Sequence, residues 1–281
     1  GSANQVLTSD GTDIAWANAG GASSIGDLDE GHAVSGSGNF AGGLLISNDG
    51  GTGTLNNAYY NTGLGWEVFD DLTEGDSNTI IGSQAGYKIT TGSNNTAVGR
   101  TALENLTNAV DNIAIGYDAL KATGAGTDGS YNVAVGVAAL TANTQGQFNV
   151  GIGRRALYTN TTADENTAVG YLALYENQTG ANNVAVGNGA LQLNTASSNT
   201  AVGDRAGTAI TTGDSNIAVG SYALDAATTG GKNTAVGYRA ISANTTESDN
   251  TAVGHQTLYQ NTGDKNTAVG SDSMYANTTG G

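Results

Sequence analysis

Residues 166–174 read Asn166-Thr167-Ala168-Val169-Gly170-Tyr171-Leu172-Ala173-Leu174, and the chain repeats this stretch. The pentapeptide Asn, β-branched residue, Ala, Val or Ile, Gly also runs from Asn95 to Gly99, from Asn112 to Gly116 and from Asn132 to Gly136. A copy with Gly151 in place of Ala runs from Asn149 to Gly153, and later copies end at Gly187, Gly203, Gly220, Gly237, Gly254 and Gly270. Upstream copies end at Gly65 and Gly82, and Leu44-Leu45-Ile46-Ser47 reads as a degraded one. From Gly65 the spacings are 17, 17, 17, 20, 17, 17, 17, 16, 17, 17, 17 and 16 residues. The single 20 reflects a loop insertion between Gly124 and Ser130, leaving 13 clear copies and one degenerate copy. A fixed period of this size is the mark of a solenoid.

The unit also has an internal plan. Three residues past the glycine stands Ala (Ala102, Ala119, Ala139, Ala156, Ala173), and four past it a larger apolar residue (Leu103, Leu120, Leu140, Leu157, Leu174, Ile241, Met274). A polar turn follows, with Asn143, Asn160, Asn194, Asn244, Asn261 and Asn277. Helical-pair repeats need over thirty residues, and leucine-rich repeats need about 20–29 with several leucines. Two short strands and two turns fit the length here. The expected fold is all-β, a parallel β-solenoid (β-roll) of about 13–14 coils with a 16–17-residue repeat.

Period two in the pentapeptide separates two faces. The β-branched residue and the Val/Ile share one face; Asn, Ala and Gly share the other. Stacked coils would bring Val98, Ile115, Val169, Val236 and Val253 over one another about 4.8 Å apart. The expectation is a buried apolar ladder. Asn95, Asn112, Asn166, Asn233 and Asn250 are expected to form a hydrogen-bonding ladder or to occupy left-handed corners. Gly99, Gly116, Gly170, Gly237 and Gly254 suit a positive φ or a close backbone approach. Ala on the opposite face implies either a neighbouring subunit or a tight inward corner. The absence of Pro fits a backbone that donates to its neighbour in every coil. The rod would be roughly 60–70 Å long.

Composition agrees. The 281 residues include 44 Gly, 2 Trp, 3 Phe and 1 Met, and only 12% are charged, against about 25% in ordinary domains. A thick core is excluded. The net charge of −16 opposes nucleic acid and anionic membranes as partners. Cys is absent, so no disulfide or thiolate site exists. No apolar run reaches the length of a membrane-spanning helix, and no secretory signal is present. Gly1-Ser2 reads as a cloning scar. Residues 1–42 form a separate region: a strand pair across Val6-Leu7-Thr8-Ser9-Asp10-Gly11-Thr12 and Ile14-Ala15-Trp16, then a Gly/Ser-rich linker or cap over 19–38. Residues 43–281 are the solenoid region.

Candidate chemistry is sparse. His32 and His255 are the only histidines and belong to no repeated pattern. No nucleophile motif accompanies them. Asp70, Asp71, Glu74, Asp76, Asp164, Glu165, Glu247 and Asp249 gather in the turn before the repeated Asn; such runs are solvated by default. Asp214-Ser215-Asn216 and Asp249-Asn250 are the calcium candidates, but Asp is missing from most copies. The expectation is no catalytic, cofactor or metal site, and not an enzyme. Tyr117, Tyr171 and Tyr238 follow the glycine, and Tyr158, Tyr175, Tyr259 and Tyr275 follow the apolar position. These rows suit either sugar binding or stacking along the rod.

The run Asn-Thr-Ala-Val-Gly-Tyr-x-Ala-Leu followed by Asn-Thr-Thr-Gly resembles repeats of phage tail-fibre proteins, and is similar to the heads of YadA-like trimeric autotransporter adhesins. The segment from Val6 to Trp16 looks like one that precedes such regions in phage fibres. The resemblance implies a homotrimer of left-handed parallel β-rolls, located in a virion or on an extracellular surface. The implied role is a structural fibre segment that contributes to attachment, with a host-surface glycan or protein as partner and neither nucleic acid nor membrane insertion. A bacterial adhesin head is the alternative. Ice binding, suggested by Thr96, Thr167, Thr200, Thr234, Thr251 and Thr267, and polysaccharide depolymerisation rank below both. Ile113, Val133, Val150, Val184 and Ile217 interrupt the Thr column, which suits a buried position. The adhesin repeat is shorter, about 14–15 residues. The chain stops within a repeat at Gly281 and reads as a fragment of a longer one.

Overall fold

The computed structural model describes residues 43–47, 56–121 and 129–277, together with strands β1 (Gln5–Ser9), β2 (Ile14–Asn18) and β3 (His32–Ser35). Residues 124–128 of the expected loop insertion and the turn at Asp10-Gly11 lie outside the described residues. Among the described residues all regular structure is β. Strands β1 and β2 pair antiparallel, with Leu7 opposite Trp16. Strand β3 lies inside the segment read as a linker. It pairs antiparallel with β4 (Leu44–Ser47) at one edge of a 15-stranded sheet.

From β4 onward that sheet is parallel, and each pentapeptide contributes one three-residue strand, from Thr62–Leu64 to Thr267–Val269. The register never slips: Val98 lies beside Ile115, Ile152 beside Val169, and Val253 beside Val269. The chain is thus a parallel β-solenoid of about 13 turns with a repeat of about 17 residues.

Which face lies inside overturns one expectation. The Ala column, Ala97, Ala114, Ala134, Ala168, Ala185, Ala201, Ala218, Ala235, Ala252 and Ala268, is buried. Within the Val/Ile column, Val98, Ile115, Ile152, Val186, Val202 and Val253 are 36–40% exposed. The Val/Ile ladder exists, but it faces outward.

The reason is volume. One coil must close around its interior, and the inward leucines, from Leu103 and Leu120 through Leu140, Leu157, Leu174 and Leu191 to Leu224, already occupy that space. Only a methyl group fits opposite them. Where a position departs from this pattern a neighbouring side chain fills the space, as Ile210 does at Gly207, where a Cβ would lie 2.9 Å from its Cδ1. Ile80 takes the Ala position in its strand, and Gly86 then takes the Leu position; a Cβ on Gly86 would lie 3.2 Å from Ile80 Cγ2. At Gly151 a Cβ would stand 3.3 Å from Leu140 Cγ. The interior is close-packed, with an inner width set by Leu against Ala.

The turns are tight enough to require a left-handed backbone at three places per coil. In one coil these are Glu165 (φ 59), Leu172 (φ 56) and Leu174 (φ 50). The repeated Asn is not among them: the left-handed residue is the one before it, as at Ser77, Asn94 and Asp111. Each such position costs a non-glycine residue about 1–2 kcal/mol, so the stacked coils must hold the backbone there. The motif glycine cannot be replaced so easily. Gly170 has φ 141, and a Cβ there would sit 2.4 Å from the carbonyl oxygen of Gly187 in the next coil.

Candidate interaction surface

The repeated Asn builds the interior polar ladder. Asn95, Asn112, Asn166, Asn233 and Asn250 are buried. Each contributes its Oδ1 to the next coil: Asn95 Oδ1 accepts from the Asn112 amide at 3.0 Å, Asn166 Oδ1 from the Asn183 amide at 3.0 Å, and Asn233 Oδ1 from the Asn250 amide at 3.1 Å. In most rungs the Nδ2 donates across its own coil, from Asn95 to the Ala109 carbonyl at 2.8 Å and from Asn166 to the Gly180 carbonyl at 2.9 Å; the Asn250 Nδ2 has no partner among the described residues. A second buried column, Asn143, Asn160, Asn177 and Asn194, joins it from the turn; Asn160 Nδ2 donates to Asn143 Oδ1 at 2.9 Å. Pairing of this kind offsets the cost of burying most of these amides.

The acidic turn has a structural use that the sequence reading missed. Asp76 Oδ1 accepts from the Tyr59 amide at 2.6 Å, Asp164 Oδ1 from the Gln147 amide at 2.7 Å, and Asp264 Oδ1 from the Ser248 amide at 2.7 Å. Ser93 and Ser197 do the same for Asp76 and Ala181. These residues stand two before the repeated Asn and cap the preceding coil. The available signal was the recurrence of Asp or Ser at that offset.

The other candidate ligands are committed or scattered. Asn216 donates to the Gly230 carbonyl at 2.9 Å and belongs to the ladder. Asp71 pairs with Lys88 at 3.1 Å. Asp118 and Glu104 flank Lys121 at 3.2 and 3.0 Å, and both raise its pKa against the opposing effect of burial. Among the described residues no three His, Cys, Asp or Glu side chains gather in a metal-ligating group. His255 is half exposed with Nδ1 3.8 Å from Asp272 Oδ1, near the far edge of the sheet from His32 in β3.

The outer face of the sheet is the broad feature. Its two outward columns run from Thr62 and Leu64 to Thr267 and Val269 and hold only Thr, Val, Ile and Leu. The Thr column is not buried: Thr96, Thr167 and Thr234 are half-buried, and Thr79 and Thr267 are exposed. Two coils widen the strip. Tyr131 and Phe148 stack at 4.9 Å beside Val133 and Val150, where neighbouring coils carry polar residues.

Along the edge after the motif glycine, aromatic and cationic residues recur, with Asp118, Asp204 and Asp272 among them, and a second tyrosine row follows the apolar position. Tyr158 stacks on Tyr175 at 5.2 Å and Tyr259 on Tyr275 at 5.1 Å. Tyr238 stacks on His255 at 5.5 Å. Arg100 lies over Tyr117, Arg154 over Tyr171, Arg155 over Tyr158, and Arg205 and Arg239 over Tyr222.

No protein-family model, curated protein or solved structure matches this chain. Among the described residues no helix is long and apolar enough to cross a membrane.

Proposed function

We propose that the chain is a structural segment of a phage tail fibre that works as a homotrimer and contributes to attachment at the host surface, in a virion or another extracellular setting. One observation carries the reading: an unbroken, uncharged outward strip of Thr, Val, Ile and Leu on 13 successive in-register strands. Two columns over that length span about 58 Å and on the order of 600 Å². That lies at the upper end of what a monomer leaves in water. A second copy of the chain offers a strip of the same length and coil spacing, so aligned copies cover one another coil against coil. The resemblance to trimeric fibres supplies the number three. A bacterial adhesin head is built on the same assembly, and a coiled coil with a membrane anchor in the full-length gene would mark it.

Sedimentation equilibrium tests the assembly. The expected mass is three times the 27.9 kDa of one chain. Placing carboxylates on the strip with Val186→Asp and Val202→Asp is expected to return the mass to that of one chain. A wild-type mass equal to that of a single chain would sink the homotrimer. A second reading, ice binding, draws on the outward Thr column. The five interruptions by Ile and Val break the regular array it needs, and thermal hysteresis measures it directly.

A further inference from the structure

Every arginine of the chain lies within two residues after a motif glycine, and every one covers a tyrosine ring. Arg100 sits 5.7 Å from the Tyr117 centroid, Arg154 5.6 Å from Tyr171, Arg155 5.5 Å from Tyr158, and Arg205 5.9 Å from Tyr222. Arg239 lies between Tyr222 at 5.5 Å and Tyr238 at 5.4 Å. In a chain with 25 acidic residues, ion pairs would be the ordinary fate of these groups. Lys88 and Lys121 do form them. Among the described residues none of the five arginines does, and Arg100, Arg154 and Arg205 are exposed.

A guanidinium attracted to a ring is more weakly hydrated than an ammonium, and its N–H groups stay free to meet a further partner. Those groups fit a carboxylate or sulfate through two parallel hydrogen bonds. The tyrosines between the arginines offer apolar ring surface beside a polar tip. Spacing defines the ligand further. Arg100, Arg154, Arg205 and Arg239 follow one another at three, three and two coils, roughly 10–14 Å at the strand spacing. A duplex strand carries a phosphate about every 3.4 Å. The rail is therefore too sparse to neutralise a nucleic acid, and the −16 charge of the chain repels any densely charged polymer.

We propose that this Arg–Tyr edge binds an acidic polysaccharide bearing one carboxylate or sulfate for every two or three sugars, laid along the rod. The proposal names a ligand class for the attachment role above and rests on that reading for its setting.

The test is affinity electrophoresis of the whole chain in gels containing hyaluronan, with one carboxylate per disaccharide, or neutral dextran, normalised to polymer-free gels. The expected result is retardation by hyaluronan, none by dextran, and loss of the effect at high salt. Combining Arg100→Gln, Arg154→Gln, Arg205→Gln and Arg239→Gln is expected to weaken association at least about tenfold. Lys232→Gln with Lys265→Gln, which lie off this edge, should leave it nearly unchanged. No retardation by hyaluronan, equal loss from the lysine pair, undiminished binding by the arginine variant, or tighter binding of single-stranded DNA would each overturn the proposal. Sedimentation mass is read on the same samples, so failure of the ligand and failure of the trimer are told apart.

Discussion

Replacing Asn166 by Ala removes one rung of the buried ladder, and the cost can be worked from its partners. The Nδ2 of Asn166 is the donor to the Gly180 carbonyl at 2.9 Å, and its Oδ1 accepts from the Asn183 amide at 3.0 Å and from Asn183 Nδ2 at 3.1 Å. Asn183 Nδ2 keeps its bond to the Ala196 carbonyl at 2.8 Å. One backbone group is therefore stranded in the interior, the Asn183 amide, because the Gly180 carbonyl keeps the bond it accepts from Asn177 Nδ2 at 2.8 Å. An unsatisfied buried group costs about 1–3 kcal/mol, so the variant is expected to lose about 1–3 kcal/mol. In a solenoid that loss is felt first by adjoining coils, because each coil touches only its neighbours. Hydrogen exchange is the suitable assay. The amides of the strands Thr167–Val169 and Val184–Val186 should exchange at least about fivefold faster, the equivalent of about 1 kcal/mol. Those of the remote strand Thr79–Ile81 should change little. The control is Asn188→Ala, which removes an exposed bond to Asp204. If Asn166→Ala falls within about 0.5 kcal/mol of that control in urea unfolding, the ladder does not hold the coils together and the reasoning fails.

Two further outcomes follow from the interior and its edge. Ile80→Ala should cost about 2–4 kcal/mol through the cavity it leaves. Adding Gly86→Leu should restore much of that loss, because Leu103 already holds the equivalent position opposite Ala97 with φ 56; urea midpoints for both variants check this, and no recovery would refute the paired-volume argument. Burial raises the Asp225 pKa above its ordinary value, against the lowering effect of the Ser242 hydroxyl that donates to it. A carboxyl with a raised folded pKa favours the folded state when protonated, so Asp225→Asn should be more stable than wild type at neutral pH. The gap should close as the pH falls through the folded pKa, read as paired melting temperatures.

Much of the architecture was legible from residue spacing. Gly99, Gly116 and Gly170 announced the coil length, and Asn at a constant offset before them allowed a stacked ladder, because an amide repeated at one position has a copy of itself to bond; that this ladder is buried was not legible. The arginine edge was much harder to see. Arg100 and Arg205 stand at different offsets from their glycines, and only stacking places each over a tyrosine of the next coil. The capping role of Asp76 and Asp164 was hidden for the same reason, since the amide each one receives lies 17 residues away in sequence.

The period, the parallel stacking in register and the places where only glycine is accepted could all be read from the order of residues, because they depend on spacing and on backbone sterics. That the two sides of each short strand differ was equally plain. Which side lies within was settled only by the closing of the coil in three dimensions. Hydropathy favours Val and Ile over Ala for the interior, but a coil this short encloses a narrow space that its own leucines already fill. Volume outweighs hydrophobicity there: the smaller methyl groups go inside, and the branched residues line the outer face.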